Sequence, residues 1–301
     1  MKFQSKGSGP RVSTVSTLAI SFLAVLLAVA TARADENLSG RLTDQILEMN
    51  KYDLVRKLDR ELERRKNALG QESTVERANK LREILKTRAT TLETLEDFER
   101  AEVTYDALVE VKPVNPMVYS DRGYFYMRQS RFDAAMRDFM TGARLAPAQS
   151  TFSYGAGRAL SRMGDYAAAI NQYNEAIRLA PGDSGPVLAR AEAYAQVGMY
   201  AEARADFDRA IALGVRGETD RFFAYFGRGY AHIRLGNDDA AVRDMDIALA
   251  MRPGMVHAVV WRGYARERMG QRQQALADYE LALRANPNDK WIRSSIRRIR
   301  A

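Results

Sequence analysis

The sequence predicts an all-α fold, a solenoid of antiparallel helix hairpins. Three observations predict it. Arg122-Gly123, Arg228-Gly229 and Arg262-Gly263 are each followed at one fixed interval by Ala-x-x-Asp, so the pattern is architectural rather than catalytic. Gly164, Gly198, Gly236 and Gly270, with Ser130 in the equivalent place, punctuate each interval where a left-handed helix C-cap favours glycine. Prolines at the interval ends, Pro147, Pro181, Pro253 and Pro287, stop a second helix.

In chain order, residues 1–34 come first, and they carry Lys2, Lys6, Arg11 and Arg33 with no acid. An uncharged run follows the first three cations. Its most apolar part, Leu18 to Ala30, has the length of a secretory h-region, and Ala32-Arg33-Ala34 offers a small-residue cleavage site before Asp35. The competing expectation is an uncleaved anchor, since Val12 to Ala32 is 21 uncharged residues. Both place everything after residue 35 outside the cytoplasm, so the expected location is periplasmic or secreted.

Composition narrows the chemistry. The 301 residues are 46% apolar and 28% charged, enough to bury a core. The formal net charge is +8, but residues 284–301 alone contribute +5 and the leader +4, leaving 35–283 at −1. The basic excess is therefore confined to two ends, which argues against a nucleic-acid partner. There is no cysteine, hence no disulfide and no thiol nucleophile, and stability must come from packing.

Residues 35–81 form an N-terminal helical segment outside the repeat. Leu38, Leu42, Ile46 and Met49, then Val55, Leu58 and Leu62, keep helical spacing. They predict a helix packed on the first hairpin, with a short dimeric coiled coil as the alternative.

Residues 82–289 hold the repeat. Steps of 3, 12, 16 and 24 from Gly123 reach Tyr126, Ala135, Phe139 and Pro147. The same steps run from Gly157 to Leu160, Ala169, Tyr173 and Pro181, and from Gly263 to Arg266, Ala275, Tyr279 and Pro287. Ala89, Ala191 and Gly229 start three more units. Origins lie 34 apart except between Ala191 and Gly229, which are 38 apart; the extra residues are expected in the loop "GVRGETDR". A small origin residue leaves a hollow that the second helix's alanine and aromatic can enter. One hairpin cannot cover its apolar face alone, so neighbours stack. Residues 290–301 then read as a basic capping helix with Trp291, Ile292, Ile296 and Ile299 on one face.

This pattern resembles the tetratricopeptide repeat family, whose unit is 34 residues long, over about residues 82–289 in six units. The resemblance implies a right-handed superhelix whose first helices line a concave groove for extended peptides or helices.

Arg122/Asp138, Arg190/Asp206, Arg228/Asp244 and Arg262/Asp278 recur at one separation, and in the unit of Gly157 both partners change together, to Ala156 and Gln172. They predict an exposed ion pair bridging the helices of each hairpin, contributing about 0.2–1 kcal/mol and tuning register more than holding the fold. In the first unit Arg88 faces Thr104, outside the pattern.

No catalytic constellation emerges, and an enzyme is not expected. His232 and His257 are isolated, so no metal site is expected, and no cofactor fingerprint is present. Gly155-Ala156-Gly157 and Gly227-Arg228-Gly229 fall inside helices at repeat positions rather than in phosphate-binding loops. What remains is a surface. Repeat position puts Tyr124, Met127, Arg128, Tyr154, Arg158, Arg162, Phe226, Tyr230, Arg234, Tyr264 and Arg268 on the concave face. Tyr and Arg dominate binding hot spots because they combine contact area with hydrogen bonding. The expected function is an exported scaffold holding a peptide or helix of another envelope protein, one with acidic residues; the alternative is a membrane-anchored or oligomeric structural component. Where some family members grip a C-terminal carboxylate with Asn, this chain has Tyr124, Arg158, Glu192, Tyr230 and Tyr264, so that activity is not expected.

Overall fold

The computed structural model describes residues 51–64, 74–111 and 114–301; the leader and the apolar positions from Leu38 to Met49 lie outside them. The described residues contain helices and turns but no strand. The chain divides into two compact units, Met1–Val114 and Asn115–Ala301.

In the first unit, residues 51–64 form α1, followed by α2 (Thr74–Thr94) and α3 (Phe98–Glu110). Val55 is buried, with Leu58 and Leu62 half-buried on the same stripe, as the spacing predicts. Asp59 of α1 accepts from Arg88 of α2 at 2.6 Å, which ties α1 to the first hairpin. Arg88 also reaches Thr104, so a carboxylate from α1 replaces the one that α3 lacks. Helix α2 runs unbroken across residues 81 and 82.

The second unit stacks five hairpins and a cap. The pairs are α4 (Met117–Arg128) with α5 (Phe132–Leu145), α6 (Ser150–Met163) with α7 (Tyr166–Leu179), and α8 (Ser184–Gln196) with α9 (Tyr200–Leu213). Then come α10 (Glu218–Leu235) with α11 (Asp238–Met251), α12 (Val256–Arg268) with α13 (Arg272–Ala285), and the cap α14 (Lys290–Arg300). Each helix packs on the next, and first helices of successive hairpins also meet: α4 with α6, α6 with α8, α8 with α10, α10 with α12.

The spacing has a direct physical cause. Ala135, Ala169, Ala203, Ala241 and Ala275 are fully buried, and so are Phe139, Tyr173, Phe207, Met245 and Tyr279 four residues after each. A Cβ at Gly157 would lie 2.5 Å from the Tyr173 ring, and one at Gly123 2.9 Å from Phe139, so these origins must be small for the second helix to approach. Gly155 and Gly227 do the same between hairpins, where a Cβ would lie 2.4 Å from Phe139 and 2.3 Å from Phe207 of the preceding one. Gly155-Ala156-Gly157 therefore seats two aromatic rings, Phe139 and Tyr173, and Gly227-Arg228-Gly229 seats the Phe207 ring on one side and Met245 on the other.

Turns fall where predicted, with positive φ at Ser130 and at Gly164, Gly198, Gly236 and Gly270. A sixth, at Glu96 with φ 58°, carried no glycine to betray it.

Three expectations need correction. The insertion before Gly229 is not all loop: residues 214–217 connect, but Glu218–Arg221 are helical, giving α10 18 residues. The equivalent helices α4, α6, α8 and α12 have 12 to 14. Met127, expected on the concave face, is buried. On α14, Ile292 and Ile296 are buried but Trp291 stands 44% exposed, its ring beside Tyr264 and Tyr279.

Candidate partner-binding groove

All four predicted ion pairs form, each as a two-pronged contact. Arg122 donates to Asp138 at 2.8 and 2.7 Å, and Arg190 to Asp206 at 2.6 and 2.8 Å. Arg228 reaches Asp244 at 2.8 and 2.6 Å, and Arg262 reaches Asp278 at 3.1 and 2.5 Å. The expectation of exposed pairs is wrong. Asp138, Asp206, Asp244 and Asp278 are buried, so each guanidinium offsets a large desolvation cost. The remaining guanidinium nitrogen reaches the preceding hairpin: Arg190 to Asn174, Arg228 to Asp208, Arg262 to Asp246, at 2.5–2.8 Å. The arginine thus fixes both its own hairpin and its neighbour. Ala156 has no such need, and the residue of the preceding hairpin that would serve it is Met140.

His232 lies 4.0 Å from Asp244, and burial holds its pKa down, which keeps it neutral at pH 7.

The concave-face arginines divide. Arg162 lies over the Phe132 ring at 5.1 Å, and Arg234 over Tyr200 at 4.4 Å while donating to the Tyr230 hydroxyl at 3.0 Å. Arg268 pairs with Asp238 at 3.2 Å and donates to the Ile233 carbonyl at 3.0 Å. Phe132, Tyr200 and Asp238 each begin the second helix of the preceding hairpin, so these three arginines staple neighbours together. Arg158 is different: it stands 5.8 Å from the Tyr124 ring and 5.7 Å from Tyr154. Burial raises the Tyr124 and Tyr154 pKa values, with Arg158 opposing, so both hydroxyls stay protonated. Arg128 is exposed at the end of α4.

Two clefts open along the first-helix face. The smaller, about 340 Å³, is lined by Tyr154, Arg158, Arg162, Leu188 and others. The larger, about 820 Å³, has Tyr200, Phe223, Phe226, Tyr230 and Trp261 among its walls. Glu192 and Asp220 line both. Trp261 lies 5.0 Å from Tyr230 and 5.9 Å from Tyr264, so the aromatic row continues to the last hairpin.

Glu192 is exposed, yet the protein packed about its carboxyl thins its hydration. That partial desolvation, with Asp220 adding, pushes the carboxyl up to about 7 against the pull of Arg158. Among the described residues, neither Glu192 nor Asp220 has a hydrogen bond or ion pair. Asp220 belongs to the turn that lengthens α10, and Phe223 follows directly after it.

The structure therefore brings Tyr124, Tyr154 and Arg158 to one end of the groove and Phe226 and Tyr230 to the other, with Tyr264 beyond Trp261. Sequence reasoning missed Asp220, Phe223, Tyr200 and Trp261, and used Glu192 only to exclude an asparagine. The four-residue excess before Gly229 was the signal that marked the place.

A profile of the tetratricopeptide repeat matches residues 86–150, 154–221 and 224–290, most of the chain. The chain belongs to the tetratricopeptide repeat family. Among solved structures, this tetratricopeptide repeat protein resembles MamA, with 22% identity and a TM-score of 0.51 over 56% of this chain and 90% of that one. It also resembles a tetratricopeptide repeat protein from Parabacteroides merdae, with 19% identity and a TM-score of 0.51, covering 85% and 98%. PilW, described as a type IV pilus biogenesis factor, aligns with 14% identity and a TM-score of 0.59, covering 73% and 98%. At these identities the likeness is one of fold. No curated protein sequence matches significantly. Among the described residues no cluster of His, Asp and Glu could hold a metal ion, and no helix is long and apolar enough to cross a membrane.

Proposed function

We propose that this protein is an exported protein-interaction scaffold that holds a peptide or helix of another envelope protein along the first helices of its second unit. One observation carries the reading: an 820 Å³ cleft walled by aromatic side chains lies on the face that the stacking of first helices leaves uncovered. Aromatic side chains give large contact area for little lost rotamer freedom, which suits a surface that captures another chain. Export rests on the leader, whose basic start, apolar run and Ala32-Arg33-Ala34 site belong to a secretory signal.

Site-specific photo-crosslinking in the native cell tests the groove. A crosslinking amino acid at Phe223 is expected to give discrete protein adducts, whereas one at Leu281, exposed on α13, gives none. Adducts of equal yield from both positions would sink the groove as the binding face. Mass spectrometry of the mature chain tests export, with a start at Asp35 expected. An intact leader in a membrane fraction would replace the soluble scaffold with an anchored one.

A further inference from the structure

The sequence alone pointed to an acidic partner, with Tyr230, Arg234, Tyr264 and Arg268 among the residues expected on the concave face. In the structure Arg268 is committed to Asp238 and to a backbone carbonyl, and Arg234 to Tyr200 and Tyr230. Of the groups that line the larger cleft, Glu192 and Asp220 have neither a hydrogen bond nor an ion pair among the described residues, while Arg234 at the rim keeps its charge, held by two phenols rather than by an anion.

We propose that this cleft seats a lysine or arginine side chain of the partner segment, its charge at Glu192 and Asp220 and its apolar stem along Phe223, Phe226 and Tyr230. This rests on the groove reading above and deepens it by naming the sign of the anchor.

Three observations converge. First, the charge is complementary: Glu192 and Asp220 line the same cleft, and neither forms an ion pair or hydrogen bond within the described chain, although Arg158, beside them in the smaller cleft, attracts Glu192. Two carboxylates sharing a site leave a deficit that a cation relieves directly. Second, the walls suit a long cationic side chain. Lysine and arginine lay their methylenes along apolar surface, and aromatic faces attract the charged head. The molecule already shows this at the cleft's edge, where the Arg234 guanidinium sits 4.4 Å from the Tyr200 ring centroid. Third, the feature is local. Asp220 comes from the one helical turn that the other first helices of this unit lack, so the two-carboxylate arrangement occurs at one hairpin rather than along the whole groove.

A peptide array decides the matter. The probe is a set of acetylated, C-terminally amidated nonapeptides with degenerate flanks and a fixed central Lys, Arg, norleucine or Glu, offered to the full-length chain. Lys- and Arg-centred peptides are expected to be retained about tenfold better than norleucine-centred ones, and Glu-centred ones least. The E192Q/D220N double variant should lose that preference while keeping its helicity, since neither carboxylate forms a hydrogen bond or ion pair among the described residues and Glu218 keeps an acid in the first turn of α10. Equal retention of Lys and norleucine, or preference for Glu, overturns the proposal; so does a Lys preference that survives in E192Q/D220N. Phe223→Ala separates the two readings. If it abolishes retention while the centre's charge is immaterial, the groove stands and the cationic anchor falls. If retention ignores Phe223→Ala, the groove reading falls. If no peptide is retained, both fall. Sedimentation closes the remaining route: a concentration-dependent doubling of mass that E192Q/D220N abolishes would make a second copy the occupant and overturn the assignment to a partner peptide.

Discussion

The hairpins α6–α7 and α10–α11 share one backbone plan and differ in everything added to it. Both use a Gly-x-Gly stretch to admit a ring of the preceding hairpin, and the second glycine of each admits the +16 side chain of its own. At α6–α7 the bridging arginine, the carboxylate of its own hairpin and the polar partner on the preceding helix α5 are gone together, leaving Ala156, Gln172 and Met140. In α10–α11 the set is complete: Arg228 holds Asp244 and Asp208. Close packing of small against large residues is therefore sufficient to make a hairpin. The ion network is dispensable as a set but not one member at a time, because a buried carboxylate without its cation is costly.

Breaking that set in α10–α11 should give the largest effect. Arg228→Ala is expected to cost about 3–5 kcal/mol, because it strands Asp244 in the interior. Adding Asp244→Gln, which copies α6–α7, should restore most of the loss. Urea denaturation of the single and double variants checks it, and a double variant no better than Arg228→Ala would refute the equivalence of the two hairpins. The packing half of the comparison is sharpened by Gly157→Ala, which places a Cβ against Tyr173 and should cost about 1–3 kcal/mol by overpacking. An unchanged thermal midpoint would show that α6 and α7 have room to spare. The smallest effect belongs to the turns. Ser130 adopts φ 57° where four other hairpins use glycine, so Ser130→Gly should gain about 0.5–1 kcal/mol. A loss on calorimetry would mean that the serine side chain supports its turn.

Most of this plan was legible because it depends on distance along the chain. The small residue, the alanine and the ring must return together for helices to meet, so Gly157, Ala169 and Tyr173 announce one another. The pairing of Arg122 with Asp138 was legible for the same reason, but its depth was not: burial depends on what the neighbouring hairpin covers, and no spacing encodes that. The site was legible only in part. Tyr230 and Phe226 were placed by their position in the repeat, while Trp261 and Tyr200 approach from other helices across the stack. Arg268 looked available because its partner, Asp238, lies 30 residues earlier. Length was read, but its meaning was not: four extra residues before Gly229 suggest a loop until the acidic Glu218 and Asp220 are seen in the first turn of a helix, where the dipole favours them.

The lengthening of α10 has a geometrical consequence. Four residues exceed one 3.6-residue turn by only about 40°, and they extend the helix by about 6 Å. The packing stripe lies after the added turn and keeps its own phase, while the point where the chain enters the helix returns to nearly the same azimuth. An insertion of two residues would have moved the point where the chain enters the helix more than half a revolution around its axis, away from the end of the preceding hairpin. A surface made of identical units can thus be individualised in steps of one turn at its lip, where new side chains lean over the groove while the load-carrying contacts stay in phase.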